Sequence, residues 1–214
     1  MHFKIIQVGS HIGASISDPV FNNVNEKDRV ILIEPIKEYY DKLIENYDSK
    51  YPNNEFIFIN SACSNSKGEI VLYQPILEDA DELPIWTDEI TSILPDHAEK
   101  HGLKIQVNAI ICDAMTLDDV IQEHDVTELD ILCIDTEGHD YEVLEGLDLN
   151  VMKPKAIFFE HKHMEGSNRP VGSKYHTLMK RLFEVGYELI FKDGANTYVS
   201  LKDFIVPREY LYRE

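Results

Sequence analysis

Five short apolar runs, Lys4–Val8, Arg29–Ile33 and residues 55–60, 129–134 and 156–159, alternate with segments of helical period, and each is followed at once by a small or polar residue. Strands written as continuous apolar runs are buried on both faces, so this alternation dictates an α/β protein with a mostly parallel sheet and helices on both sides. In such sheets ligands bind beyond the carboxyl ends of the strands. Gly9, Glu34, Ser61, Asp135 and Glu160 stand at those ends here. Five such ends along one edge point to a binding crevice.

The remaining segments fill in the layers. Residues 36–47 read as a helix with Tyr40, Leu43, Ile44 and Tyr47 on one face. Thr116 caps a helix over 117–124, with Asp118 and Asp119 in its first turn, where the helix dipole favours acids. Further helices are expected over 140–147 and over 175–185, the latter stopped by Gly186. Residues 16–22 read as one or two helical turns interrupted by Pro19. Residues 68–73 and 105–112 are strand-like, and 187–191 and 197–201 form final antiparallel strands around Asp193-Gly194. Between them, the acidic stretch 78–102 carries Pro84, Pro95 and the single tryptophan, Trp86; it reads as an inserted loop with a short helix near 96–101. The length of 214 residues suits one domain, 1–214.

Composition narrows the function. With 20 basic and 39 acidic residues the net charge is −19, and the basic residues are scattered, which disfavours a nucleic-acid partner. No apolar run approaches the roughly 18 residues of a membrane helix. The first residues do not follow a signal-peptide plan, and three cysteines without paired spacing read as buried thiols, so the expected location is cytoplasmic.

The loop Val8-Gly9-Ser10-His11-Ile12-Gly13 follows the first strand. It resembles a dinucleotide fingerprint, but His11 stands where the middle glycine lets a backbone approach a pyrophosphate. A cofactor without phosphates fits better. Glu34 closes the second strand about 20 residues beyond, placed to accept hydrogen bonds from ribose hydroxyls.

These residues, with Ile33-Glu34-Pro35, Asn60-Ser61-Ala62-Cys63-Ser64, Thr116-Leu117-Asp118-Asp119, Ile134-Asp135-Thr136-Glu137-Gly138, Glu142-Val143-Leu144, Phe159-Glu160-His161 and Gly186-Tyr187, resemble the FkbM family of methyltransferases over nearly the whole chain. The resemblance implies a Rossmann-like methyltransferase fold, S-adenosylmethionine as cofactor, and O-methylation of a hydroxyl on a sugar, glycan or related small molecule. It implies that Val8 to Gly13 wrap the methionine part, that Glu34 and Pro35 hold the ribose, and that Ser61 and Ala62 line the adenine. Gln7 stands where the family usually has an acid. Segment 78–102 corresponds to the variable acceptor region, where Trp86 and Ser92 would meet a sugar face.

Methyl transfer needs a positioned oxygen and a proton acceptor. Asp135 is the central candidate, with His161 first among the bases, followed by His139 and His163. Glu137 and Asp140 are either catalytic or structural. Asp135, Glu160 and His161 would also supply ligands for a divalent ion such as magnesium. Two rival readings are a nicotinamide-dependent oxidoreductase and a non-catalytic partner-binding module.

Overall fold

The computed structural model describes residues 2–15, 18–77, 83–206 and 210. Its first half contains β1 (Lys4–Val8), α1 (Pro19–Asn23), β2 (Arg29–Ile33), α2 (Lys37–Lys50), β3 (Phe56–Ile59), β4 (Ala62–Cys63), β5 (Gly68–Pro75) and α3 (His97–Lys100). There follow β6 (Val107–Met115), α4 (Leu117–Glu123), β7 (Ile131–Ile134), α5 (Asp140–Glu145), β8 (Ala156–Glu160), α6 (Ser173–Glu184), β9 (Tyr187–Lys192) and β10 (Asn196–Leu201).

Seven strands form one sheet in the order β3-β2-β1-β7-β8-β10-β9, parallel from β3 to β8, with β10 antiparallel to both of its neighbours. Strand residues alternate between two cores. Ile6, Val8, Ile31, Ile33, Leu132 and Ile134 face α4, α5 and α6, whereas Ile5, Val30, Leu32, Ile131 and Cys133 face α1 and α2. Burial on both sides explains why these strands carry apolar residues at successive positions rather than only at every second one.

Local chemistry sets the helix ends. Thr116 Oγ1 accepts from Asp119 N at 3.0 Å and Asp119 Oδ2 accepts from Thr116 N at 2.9 Å, a reciprocal cap. Tyr175, Leu178, Met179 and Leu182 form the buried stripe of α6. Two expectations are corrected. In α2 the buried face is Tyr39, Leu43 and Tyr47 rather than the expected stripe with Tyr40 and Ile44, because Tyr39 packs with Ile36, Leu72 and Cys112. Pro19 opens α1 rather than interrupting it: Asp18 caps the helix, and a proline in the first turn loses no hydrogen bond. Ile16 and Ser17 of that expected turn lie outside the described residues.

Strands β5 and β6 do not extend the main sheet. They pair antiparallel from Gly68↔Ala114 to Pro75↔Val107 and, with β4, make a separate three-stranded sheet. Segment 78–102 is the connection between them. Residues 78–82 lie outside the description; the rest contains one 3-10 turn at Ile85–Asp88 and α3, close to the short helix expected near 96–101. Ser92 bridges back to Tyr73, so the connection folds along its own sheet toward the strand ends.

Candidate active site

Strand order reverses between β1 and β7, the place where sheets of this kind bind their ligands. The glycine loop is bolted to both neighbours. Gly9 N and Ser10 N donate to Ile33 O at 3.0 and 3.1 Å, and Asp135 N donates to Val8 O at 3.0 Å. Gly9 adopts φ 78°, and a Cβ there would stand 1.8 Å from the Asp135 carbonyl oxygen. Only glycine lets these two backbones lie so close. His11, also left-handed at φ 47°, donates its N–H to Glu34 Oε2 at 2.9 Å, while Ile36 N donates to Glu34 Oε1 at 2.8 Å.

Two adjoining cavities share Gly9, His11, Glu89, Asp135 and Glu137. The first, about 600 Å³, runs over Glu34, Pro35, Tyr39, Ser61, Ala62 and Leu72. The His11 ring packs on Tyr39 at 4.3 Å between centroids, and its Nε2 is buried without a hydrogen-bond partner. The second, about 540 Å³, is walled by Gln7, Ser10, Ser15, Asp18 and the shared acids. Gln7 Nε2 donates to Asp18 Oδ2 at 3.0 Å, which leaves Gln7 Oε1 buried and unpartnered.

Burial raises the proton affinity of the acids here. It pushes Asp18 up to about 6, against the hydrogen bonds it accepts, and Glu34 up to about 7. Asp135 lies well above the usual carboxylate range through burial first, then the charges of Glu137, Asp140, Glu89 and Asp18. Glu160 is raised likewise, by burial and then Glu137 and Asp135.

Glu34 gives a pH-dependent expectation. Its folded value near 7 exceeds the unfolded value of about 4.3, so the stability it contributes is fully present below the unfolded value and is lost as pH rises through about 7. Glu34→Gln cannot ionise and should therefore gain melting temperature relative to the wild type between about pH 5 and about pH 8. Calorimetry across that range checks it; a difference that does not change with pH contradicts the assignment.

The structure separates the expected catalytic residues. Asp135, Glu137 and His139 line the first cavity. His139 Nε2 lies 3.0 Å from Ser64 Oγ, and its Nδ1 lies 3.5 Å from Glu142 Oε2. Asp140 is structural: its carboxylate accepts from Thr136 N, Thr136 Oγ1 (2.6 Å) and Glu160 N (2.9 Å), tying the end of β7 to that of β8. His161 turns away, its Nδ1 3.0 Å from Thr197 Oγ1 and its ring against Tyr175. The expected ligand set Asp135, Glu160 and His161 is therefore not assembled. The acids that converge are Asp135, Glu137 and Glu160, and the histidine that follows β8 and reaches them is His163, with Nε2 3.5 Å from Glu160 Oε1. Ser92, expected to face a sugar, is buried and donates to Glu137 O at 2.6 Å, whereas Trp86 is 39% exposed.

Several site residues carry no motif in sequence. Asp18, Tyr39 and Glu89 reach the cavities only through tertiary packing. His97 and His101 offered one signal, a spacing of four on a short helix, which places both rings on one side. His97 Nε2 lies 2.9 Å from Glu137 Oε2.

The fold has solved counterparts. A methyltransferase FkbM from Methylobacillus flagellatus KT superposes with a TM-score of 0.54 at 14% identity, covering 93% of this chain. An O-methyltransferase from Bacillus cereus, solved with SAH, gives 0.47 at 11% identity, over 93% of this chain and 74% of its own. The M. capricolum TrmK, solved with S-adenosyl-homocysteine, gives 0.42 at 12%, over 93% and 61%. The chain spans 44% of the length of the M. flagellatus protein. No curated protein matches the sequence, and among the described residues no helix is long and apolar enough to cross a membrane. The model of the methyltransferase FkbM domain matches residues 7–189, a span that includes the glycine loop, Glu34 and Asp135 to Gly138, and the chain belongs to the FkbM methyltransferase family.

Proposed function

We propose that this chain is an S-adenosylmethionine-dependent O-methyltransferase acting on a hydroxyl of a sugar, a glycan or a related small molecule. One observation carries the reading: the two cavities at the switch point differ in character and meet at Gly9, His11, Asp135 and Glu137. The first suits an adenosyl group, with Glu34 and Pro35 at the ribose and Ser61 and Ala62 beside the base. The second suits the amino-acid end and the positive sulfur. Its wall holds Asp18, Glu89, Asp135 and Glu137. There the free Gln7 Oε1 is an acceptor for an ammonium, and Asp18, bonded to Gln7, restores the negative charge that glutamine lacks.

When bound, the cofactor supplies an electrophilic methyl group on a positively charged sulfur. Asp135 lies where the two cavities meet, and its raised proton affinity makes it a fit acceptor for a hydroxyl proton. Glu137, held in a left-handed backbone at φ 53°, fixes the loop beside it. His139 is the second base on the cavity wall. Asp88, Glu89, Thr91 and Ile93 of the inserted segment line the first cavity, which makes that segment the place for the acceptor. The three buried free thiols, Cys63, Cys112 and Cys133, support work in a reducing compartment such as the cytoplasm.

Calorimetric titration with S-adenosylmethionine, S-adenosylhomocysteine and NAD tests the cofactor. The first two are expected to bind one per chain and NAD not at all, since His11 stands where a dinucleotide loop has its middle glycine. NAD binding without S-adenosylmethionine binding would overturn the proposal, and binding of neither would favour a non-catalytic module. Mass spectrometry of sugar acceptors incubated with the cofactor then reads the added methyl group.

A further inference from the structure

His97 on α3, His101 at its C-cap, Glu137 after β7 and His163 after β8 bring four ligand atoms within 4.8 Å of one another. The three rings pack with centroids 4.5 to 5.0 Å apart. Three imidazoles and a carboxylate from three chain segments, in a site where His97 and His163 are 2% and 1% exposed, form an unusual core. Buried polar groups need partners. His101 Nε2 and His163 Nε2 have none.

The tautomers sort the four residues into roles. His97 Nδ1 lies 2.8 Å from Ser167 Oγ, a partner that fixes the ring and leaves Nε2 directed at Glu137. His101 Nε2 is free to coordinate. His163 differs: its Nδ1 accepts the N–H of Asn168 at 2.8 Å, so the neutral ring carries its proton on Nε2. A protonated nitrogen cannot ligate a metal. It can donate to whatever oxygen occupies a metal's open position, and it lies 3.6 Å from Glu137 Oε2 and 3.5 Å from Glu160 Oε1.

We propose that His97, His101 and Glu137 bind a divalent transition-metal ion of the zinc class, with His163 donating a hydrogen bond to the oxygen ligand in the fourth position. Two imidazoles and one carboxylate, with one coordination position left for water or substrate, is a set that zinc accepts, while mixed nitrogen ligands disfavour magnesium and calcium. The ion would clamp the acceptor segment, through α3, to the loop that carries Asp135. This site is distinct from the Asp135, Glu160 and His161 set expected from sequence, and it does not depend on the assignment of methyl transfer.

The test uses the full chain stripped of metal by chelator, titrated with Zn²⁺ by calorimetry and with Co²⁺ by visible absorption. One ion per chain is expected, with a higher melting temperature and a cobalt spectrum of low-coordinate nitrogen ligation. His101→Gln, at the less buried ligand, should weaken Zn²⁺ binding more than about 100-fold, and His163→Gln about 10-fold, as loss of an outer partner does. A variant with His2, His124 and His176 all changed to glutamine should bind like the wild type. The proposal is overturned by absence of stoichiometric uptake, by wild-type affinity in His101→Gln, or by loss of binding in the triple variant. If His101→Gln fails to fold, a wild-type cobalt spectrum of six oxygen ligands overturns it equally. S-adenosylmethionine titration of the same samples keeps failure of this site separate from failure of the methyltransferase reading.

Discussion

Gly9→Ala is expected to abolish cofactor binding and to destabilise the chain by about 3 kcal/mol or more. Two costs add. The residue sits at φ 78°, where a Cβ is disfavoured by about 1–2 kcal/mol. The new methyl would also stand 1.8 Å from the Asp135 carbonyl oxygen, and that oxygen belongs to backbone and cannot rotate aside. Relief requires the glycine loop to separate from the end of β7, which would pull Gly9 N and Ser10 N away from Ile33 O. Both cavities include Gly9 and Asp135, so both deform together. For a chain of this size the loss corresponds to a melting temperature lower by roughly 6–12 °C. Thermal unfolding and S-adenosylmethionine calorimetry on the purified variant read the two effects. A variant that melts with the wild type and binds normally would show that the loop and β7 are not in the contact described.

Asp140→Ala should have an effect of similar size on stability by a different route. The carboxylate is fully buried and serves three donors, Thr136 N, Thr136 Oγ1 and Glu160 N. Removing it leaves two backbone N–H groups and a hydroxyl without partners, at about 1–3 kcal/mol for each buried group. The bonds join the strand ends that carry Asp135 and Glu160, so methyl transfer should fall further than cofactor affinity does. Asp140→Asn keeps one acceptor oxygen but turns an N–H donor toward Thr136 or Glu160 N, so it should recover only part of the stability. Burial has already pushed the Asp140 carboxyl up to about 7, so loss of charge alone is a small part of the effect. Equal damage from alanine and asparagine would mean that the site tolerates nothing short of two acceptor oxygens, and a full recovery in asparagine would contradict the bonds to both. Melting curves of the two variants, beside turnover against Kd, separate these outcomes.

The expected α/β layers follow from short-range patterning, and the structure has them. Runs such as Val30–Ile33 and Ile131–Ile134 are apolar throughout because each is covered on both sides. The helix stop at Gly186 and the cap at Thr116 are encoded within four residues of where they act. The glycine loop, Glu34 and Asp135 were legible because a parallel sheet places every strand's carboxyl end on one edge. Pairing between distant strands was not legible. Strands β5 and β6 are apolar enough for the main sheet, yet they pair with each other and, with β4, form a separate sheet.

Side-chain direction was the other gap. His161 and His163 follow the same strand, two residues apart, and sequence ranked His161 first. Ala195 O takes the N–H of His161, and Thr197 takes its ring, which turns that residue toward β10 and leaves His163 beside the acids. A local pattern cannot encode this, because the deciding partners lie more than 30 residues away. The sequence by itself determined the layered fold, the edge on which the site lies and the glycine loop that builds it. Tertiary structure alone decided which acids and histidines converge there, including the meeting of His97 and His101 with Glu137, because long-range contacts set side-chain partners while short-range periodicity sets only secondary structure and its buried face.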